Sequence, residues 1–203
     1  MTTRLSPLSE CKTPQRQLGA SDRLDCWFQE QPFLAHCNLR GDPRNLDFLQ
    51  AVKKQLGVEL PLLPNTVSSA GRWRGCWLSP DEWLLLGPGR SKPFEALVSE
   101  LSAMHHSLVD LSGGQTVIRI GGSAWRDVLG SACTLDLHPR AFEASRCAQT
   151  VLAHINVLLI HVDVDERGEA LDIVVRRSFC DHLLHWLIDA AKEVGFELHQ
   201  PGA

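Results

Sequence analysis

Two spacings of apolar residues take turns along the chain: short runs with a period of two, which suit half-buried strands, and longer runs with a period near 3.6, which suit amphipathic helices. From Pro32 onward Phe33, Ala35, Cys37 and Leu39 fall on one side and His36, Asn38 and Arg40 on the other, so a strand is expected there. Gly41 ends it, Asp42 is placed to cap a helix with Pro43 in the first position, and Leu46, Leu49, Val52 and Leu56 follow at helical spacing up to Gly57. Lys53 and Lys54 come late in that helix, where they suit its dipole. Pro61 and Pro64 break the chain, and residues 72–78 and 83–86 read as two strands joined by the turn Ser79-Pro80-Asp81-Glu82. A second helix is expected from about Ser91, with Pro93 in its first turn and Phe94, Leu97, Val98, Leu101 and Met104 as its buried stripe.

The stretch from His106 to Gly122 is a pivot, because the same order of elements returns after it. Two strands meet there across Gly113 and Gly114, the second built from Val117, Ile118 and Ile120 around Arg119. Gly121 and Gly122 turn the chain, Ser123 is positioned as a cap, and Trp125, Val128 and Leu129 begin a short helix reaching Cys133. Leu135, Leu137 and Pro139 mirror Val58, Leu60 and Pro61. Residues 150–164 read as a strand bending near Asn156, 165–168 as a hairpin turn, and 170–176 as another strand. A last helix from Ser178 turns Phe179, Leu183, Trp186, Leu187, Ala190 and Val194 inward, before a closing strand over 196–199.

This order predicts an α+β fold made of two ferredoxin-like β-α-β-β-α-β units, with helices on one face of antiparallel sheets. The expected organisation is an arm over residues 1–30, a first unit over 31–112 and a second over 113–203, the two units packed as one compact body with Leu39, Leu86, Val109, Ile118 and Val174 in a shared core. The arm is polar, carries Pro7 and Pro14, and ends in an apolar knot of Leu24, Trp27 and Phe28. It either lies along its own domain or reaches onto a partner.

Composition narrows the function. With 203 residues the chain is long enough to bury roughly 70% of its unfolded surface without staples. A net charge of -4 offers no cation excess for a phosphate backbone, so nucleic acid is not an expected partner. No apolar run approaches the ~18 residues of a membrane helix, and the N-terminus has no apolar secretory core, so a cytoplasmic protein is expected. Cys11, Cys26, Cys37, Cys76, Cys133, Cys147 and Cys180 are odd in number and contain no CxxC pair; they read as reduced, mostly buried small hydrophobes.

The search for chemistry comes back sparse. Neither GxGxxG nor GxxxxGK[ST] occurs, and Ser123 at a helix start offers only what every helix N-terminus offers an anion. His182, His185 and Asp189 fall at i, i+3 and i+7, a spacing compatible with a metal, but they alternate with the apolar stripe as the solvated face of a helix does and have no obvious fourth ligand, so the solvated face is the favoured reading. Asp81 and Glu82 are adjacent, so their carboxylates should point apart as solvated turn groups. His105, His106, His154 and His161 read as packed or surface histidines, and Ser112, Ser123 and Ser178 lack a GxSxG setting. Six tryptophans and no tyrosine suggest buried anchors, Trp83 and Trp186 among them. No residue is assigned as catalytic, cofactor-binding or metal-ligating.

Five runs in series carry a family resemblance: Leu39-Arg40-Gly41-Asp42; Trp77 to Leu85 (WLSPDEWLL); Leu111 to Thr116 (LSGGQT); Asp136-Leu137-His138-Pro139 with Phe142; and Val175 to Phe179 (VRRSF) with Trp186. Over residues 36–195 they resemble the gamma subunit of heterotetrameric sarcosine oxidase. The resemblance implies a bacterial flavoenzyme complex that demethylates sarcosine to glycine, forms hydrogen peroxide and passes the one-carbon unit to tetrahydrofolate. It implies alpha, beta and delta subunits as partners, with FAD and covalent FMN on beta and its interface with alpha, NAD and folate on alpha, and zinc on delta. Gamma is then a non-catalytic subunit with no cofactor of its own. Its fold is similar to part of the folate-binding aminomethyltransferases, although their acidic motif has no counterpart here, the nearest acidic run being 163–166. Alternatives of the same kinship are a stand-alone folate-binding protein and a related tetramer acting on another N-methyl amino acid.

Overall fold

The computed structural model describes residues 5–89, 92–165 and 167–200. In chain order it contains β1 (Arg16–Gln17), β2 (Cys26–Gln31), β3 (Ala35–Gly41), α1 (Leu46–Leu56), β4 (Val67–Ala70), β5 (Trp73–Ser79), β6 (Glu82–Gly87), α2 (Lys92–Leu101), β7 (His106–Asp110) and β8 (Gln115–Gly121). Then come α3 (Trp125–Gly130), β9 (Cys147–Leu152), β10 (Ile155–Asp165), β11 (Gly168–Arg176), a 3-10 turn over Arg177–Phe179, α4 (Cys180–Ala190) and β12 (Phe196–His199). The chain divides into two compact units: Phe33–Gly113 with Ser145–Ala148, and Met1–Pro32 with Gly114–Ala144 and Gln149–Ala203.

The first of these carries a five-stranded sheet in the order β4-β5-β6-β3-β7, with antiparallel pairings throughout. Its opening strand β3 lies between β6 and β7, and β5 sits outside β6, which is the split βαβ arrangement with β4 added at the edge. Cys37 and Leu39 of β3, Trp83 and Leu85 of β6, Phe48 and Val52 of α1, and Leu97 and Leu101 of α2 form its core. The cap of α1 is Asn45, whose side chain accepts the N–H groups of Asp47 and Phe48. Asp42, expected to cap, instead accepts from the backbone N–H and guanidinium of Arg44, three residues too early to reach the helix's free donors. The helix therefore buries Phe48, Ala51, Val52 and Leu56, and leaves Leu46, expected in the stripe, 72% exposed. Val98 and Phe33 are likewise exposed, Phe33 at φ +62 ahead of β3. Ser91 lies outside the described residues.

The second unit carries a seven-stranded sheet in the order β1-β12-β2-β8-β11-β10-β9. Here β8, β10, β11 and β12 repeat the same plan, and β2 is inserted between β8 and β12. Antiparallel to β8 but parallel to β12, β2 makes the one departure from antiparallel pairing among the described strand pairs. The stretch read from sequence as an arm thus supplies two strands. Its inward positions are Cys26, Phe28 and Glu30, and a carboxylate at an inward position over only six residues hides the alternation.

Beneath Trp27 the backbone of β8 must come close: a Cβ at Gly121 would collide with the Trp27 indole, and Gly122 adopts φ +103 against the Asp25 carbonyl. Ser123 does not cap α3; its hydroxyl donates to Asp25, and the N-cap position belongs to Ala124, which makes no side-chain cap bond. The bend expected near Asn156 is a hairpin turn at Ala153 and His154, both at positive φ, so two strands stand where one was read. Of the residues expected in one core, Leu39 belongs to the core of the first unit, Ile118 and Val174 are buried on strands of the other sheet, and Val109 is 48% exposed. On α4 Cys180, Leu183, Leu184, Leu187 and Ile188 are buried while Phe179 just before it is exposed.

Candidate functional site

The first two family-like runs come together where β3 meets the β5–β6 hairpin. Arg40 lies opposite Glu82 in the strand register and extends to Asp81, with Nη2 3.0 Å from Oδ2 and Nε 3.9 Å from the Glu82 carboxylate. Asn38 donates to Glu82 at 2.7 Å, and the Ser79 hydroxyl donates to Asp81 at 2.9 Å. The two adjacent carboxylates, expected to stand apart in solvent, are therefore both drawn to one guanidinium across the hairpin. A cleft of about 640 Å³ opens here, lined by Arg40, Asp42, Arg44, Asp81, His105 and His106 among others. The Ser79 hydroxyl and Arg40 hold the Asp81 carboxyl below its ordinary value, and Arg44 does the same for Asp42. Carboxylates held ionised by cations are poor proton donors at neutral pH.

The LSGGQT run has a structural use. Ser112 Oγ accepts the His36 N–H at 3.0 Å and donates to Asp110, closing the end of β3 against β7, while the Gly114 carbonyl accepts the Arg177 N–H at 2.9 Å. Gly113 itself has open space where a Cβ would stand.

His182, His185 and Asp189 are not brought together as a set. His185 Nδ1 lies 2.9 Å from the Asp181 carbonyl oxygen, and Asp189 pairs with Lys192 at 2.5 Å. The side chains that do gather near His185 are Asp181 and Cys11, with ligand atoms of all three within 4.8 Å of one another. Sequence reasoning missed Cys11 because it belongs to the arm, far from α4 along the chain. Burial, with a hydrogen bond to Asp181, pushes its thiol up to about 11.

The other cysteines behave as small hydrophobes. Burial raises Cys26 and Cys37 to about 12 and Cys147 to about 11, and all seven are free thiols. His161 is a packed core histidine, stacked on Phe142 and edge-on to Trp125, with Nδ1 2.9 Å from the Phe142 carbonyl oxygen. Glu166, at the end of the acidic run, lies outside the described residues.

Glu30 fixes the arm. Its buried carboxylate accepts from Ser6 Oγ at 2.6 Å, from Thr116 Oγ1 at 3.3 Å and from the Leu8 N–H, while Arg177 donates to the Leu5 carbonyl at 2.7 Å. Burial nevertheless raises the Glu30 carboxyl above its ordinary value.

Comparison with known proteins decides the kinship. The signature described as "Sarcosine oxidase, gamma subunit family" matches residues 40–193. The chain belongs to the sarcosine oxidase gamma subunit family. This gamma-family chain is 34% identical over 172 residues to the sarcosine oxidase subunit gamma of Corynebacterium sp. (strain P-1), covering 83% of this chain and 81% of that one. Among solved structures it matches a chain of the heterotetrameric sarcosine oxidase from Corynebacterium sp. U-96, in complex with pyrrole 2-carboxylate, with a TM-score of 0.82 and 31% identity over 94% of this chain and 96% of that chain. It also shares its fold with the glycine cleavage system aminomethyltransferase T from Bartonella henselae, at a TM-score of 0.62 and 11% identity, spanning 89% of this chain and 48% of the other. The α+β fold expected from the sequence, two split βαβ units of aminomethyltransferase type, is thus the fold found. No helix among the described residues is long and apolar enough to cross a membrane.

Proposed function

We propose that the chain is a non-catalytic gamma subunit of a heterotetrameric sarcosine oxidase, working beside alpha, beta and delta subunits that hold FAD, FMN, NAD, tetrahydrofolate and zinc. The complex demethylates sarcosine to glycine, reduces oxygen to hydrogen peroxide and delivers the one-carbon unit to tetrahydrofolate in the cytoplasm. The observation that carries this reading is the near end-to-end likeness to a chain of a heterotetrameric sarcosine oxidase, 0.82 in TM-score with 94% and 96% of the two chains covered. The polar groups support it: the prominent carboxylates are engaged by Arg40, Arg44, Arg119 and Arg126, and burial raises the thiols of Cys26 and Cys37 to about 12. Such a subunit contributes surface and stability to an assembly, and leaves redox chemistry to its partners.

Co-expression with the other three subunits tests this. Hydrogen peroxide release is measured over a panel of sarcosine, dimethylglycine and N-methylproline, with and without this chain. The expected result is sarcosine-dependent turnover that needs the chain for assembly. A full-activity complex formed from the other three alone would refute the role, and preference for another N-methyl amine would reassign the substrate.

A further inference from the structure

The segment ahead of the family-matched region raises a question that the gamma role leaves unanswered: what the first residues of the chain are for. Their path is fixed on both sides of Cys11. Upstream, Ser6 and Leu8 donate to the buried Glu30 carboxylate, and Leu5 accepts from Arg177. Downstream, Gln15 accepts the Leu198 N–H at 2.7 Å, and β1 pairs with β12. Between these anchors the chain sets the Cys11 thiol against the N-terminal half of α4, where Asp181 and His185 stand one helical turn apart.

We propose that Cys11, Asp181 and His185 form a binding site for a first-row divalent metal ion, zinc foremost, that clips the N-terminal segment to α4. The three residues offer one sulfur, one oxygen and one nitrogen, with the donor atoms within 4.8 Å of each other. Tetrahedral zinc bonds of about 2.0 to 2.3 Å can span such a group with small side-chain rotations, and three protein ligands leave a fourth position open for water. The mixed set of thiolate, imidazole and carboxylate suits zinc better than calcium or magnesium, which take oxygen ligands.

Two features around the donors act as a supporting shell. The ring of His185 is already oriented by its Nδ1 contact of 2.9 Å with the Asp181 carbonyl oxygen. The Thr13 hydroxyl is buried with no hydrogen-bond partner among the described residues, and its influence favours the Cys11 thiolate. A cavity of about 310 Å³, lined by Cys11, Thr13, Glu30 and His199 among others, adjoins the thiol and leaves room for a metal-bound water. The neighbouring His182 and Asp189, which the sequence spacing offered as ligands, are not in the gathered set.

The test is calorimetric titration of zinc chloride into the full chain after chelator treatment and dialysis, followed by cobalt substitution. One zinc per chain is expected, with a near-ultraviolet thiolate-to-cobalt charge-transfer band. Cys11→Ser should abolish that band, and Cys11→Ser and His185→Gln should each weaken zinc by more than about tenfold, at least the loss seen when even an outer partner of a ligand is removed. His182→Gln should bind as the parent does. All three side chains are at the surface or only partly buried, so circular dichroism should show each variant folded; Asp181→Asn supplies a further ligand variant. Absence of stoichiometric zinc binding, or equal affinity in the Cys11 and His185 variants, overturns the proposal. The assembly of the four subunits is a separate readout, so failure of the metal site is distinguishable from failure of the gamma role.

Discussion

Arg119 on β8 and Asp172 on β11 face each other across the seven-stranded sheet, with Nε 2.6 Å from Oδ1 and Nη2 3.0 Å from Oδ2. Asp172 has no exposed side-chain surface and Arg119 only 17%. A two-pronged pair of this kind gains geometric definition from its planar fork, but the attraction is offset by the cost of removing both charges from water.

The consequence is asymmetric. Asp172→Asn removes the carboxylate charge that the largely buried Arg119 guanidinium faces and should destabilise the chain by about 3 kcal/mol or more. The double change Arg119→Met with Asp172→Leu removes both charges together and should recover most of that loss. Urea unfolding of the three proteins measures it; a double variant as unstable as the single one would show that the pair itself supplies net stability.

Trp83 is fully buried in the first unit's core, touches Phe48 and donates its indole N–H to the Pro61 carbonyl at 2.8 Å. Trp83→Ala should cost about 3 to 5 kcal/mol through the cavity and the orphaned carbonyl. Trp186, expected to be its equal, is only partly buried on α4 and should cost clearly less. Thermal denaturation of both variants checks the order; equal losses would contradict it.

These tryptophans show where the sequence was legible. Trp83 sits in a strand whose apolar run is unbroken, and the same is true of most elements, because strand and helix periods survive in any sequence that must bury one face. The misplaced features depend on contacts the period does not encode. Asn45 caps α1 because the chain after Gly41 makes an Asp42–Arg44 turn first, and β2 exists because β8 and β12 leave it a place. Cys11 meets α4 through anchors at Glu30 and Arg177, far along the chain. A site assembled from an arm and a helix has no local spacing to read.

The cap distinction is itself testable. Asn45→Ala removes the acceptor for two helix N–H groups and should cost about 1 kcal/mol, whereas Asp42→Ala, at an exposed turn, should cost less. Chemical denaturation of the pair of variants measures this, and a larger loss at Asp42 would return the cap to the residue that the sequence pattern suggested.

Glu30 sets a pH dependence of definite sign. Burial raises its folded-state value above the unfolded one, against the opposing effects of Ser6, Thr116 and Arg177. A carboxyl raised in this way contributes stability that is fully present below the unfolded value and is lost as pH rises through the folded value. Melting temperature followed from about pH 4 to 7 should therefore fall for the parent relative to Glu30→Gln, whose amide does not ionise. Parallel curves for the two proteins would mean that the hydrogen bonds fully offset the burial.

The membership of this chain in an assembly is tested most directly by its recovery from a native host with a tag on the chain itself, followed by intact-mass measurement of the purified species. The gamma role predicts a complex of four different polypeptides in equal numbers, containing flavin and oxidising sarcosine. Recovery of the chain as a lone monomer that binds tetrahydrofolate with micromolar affinity would contradict it.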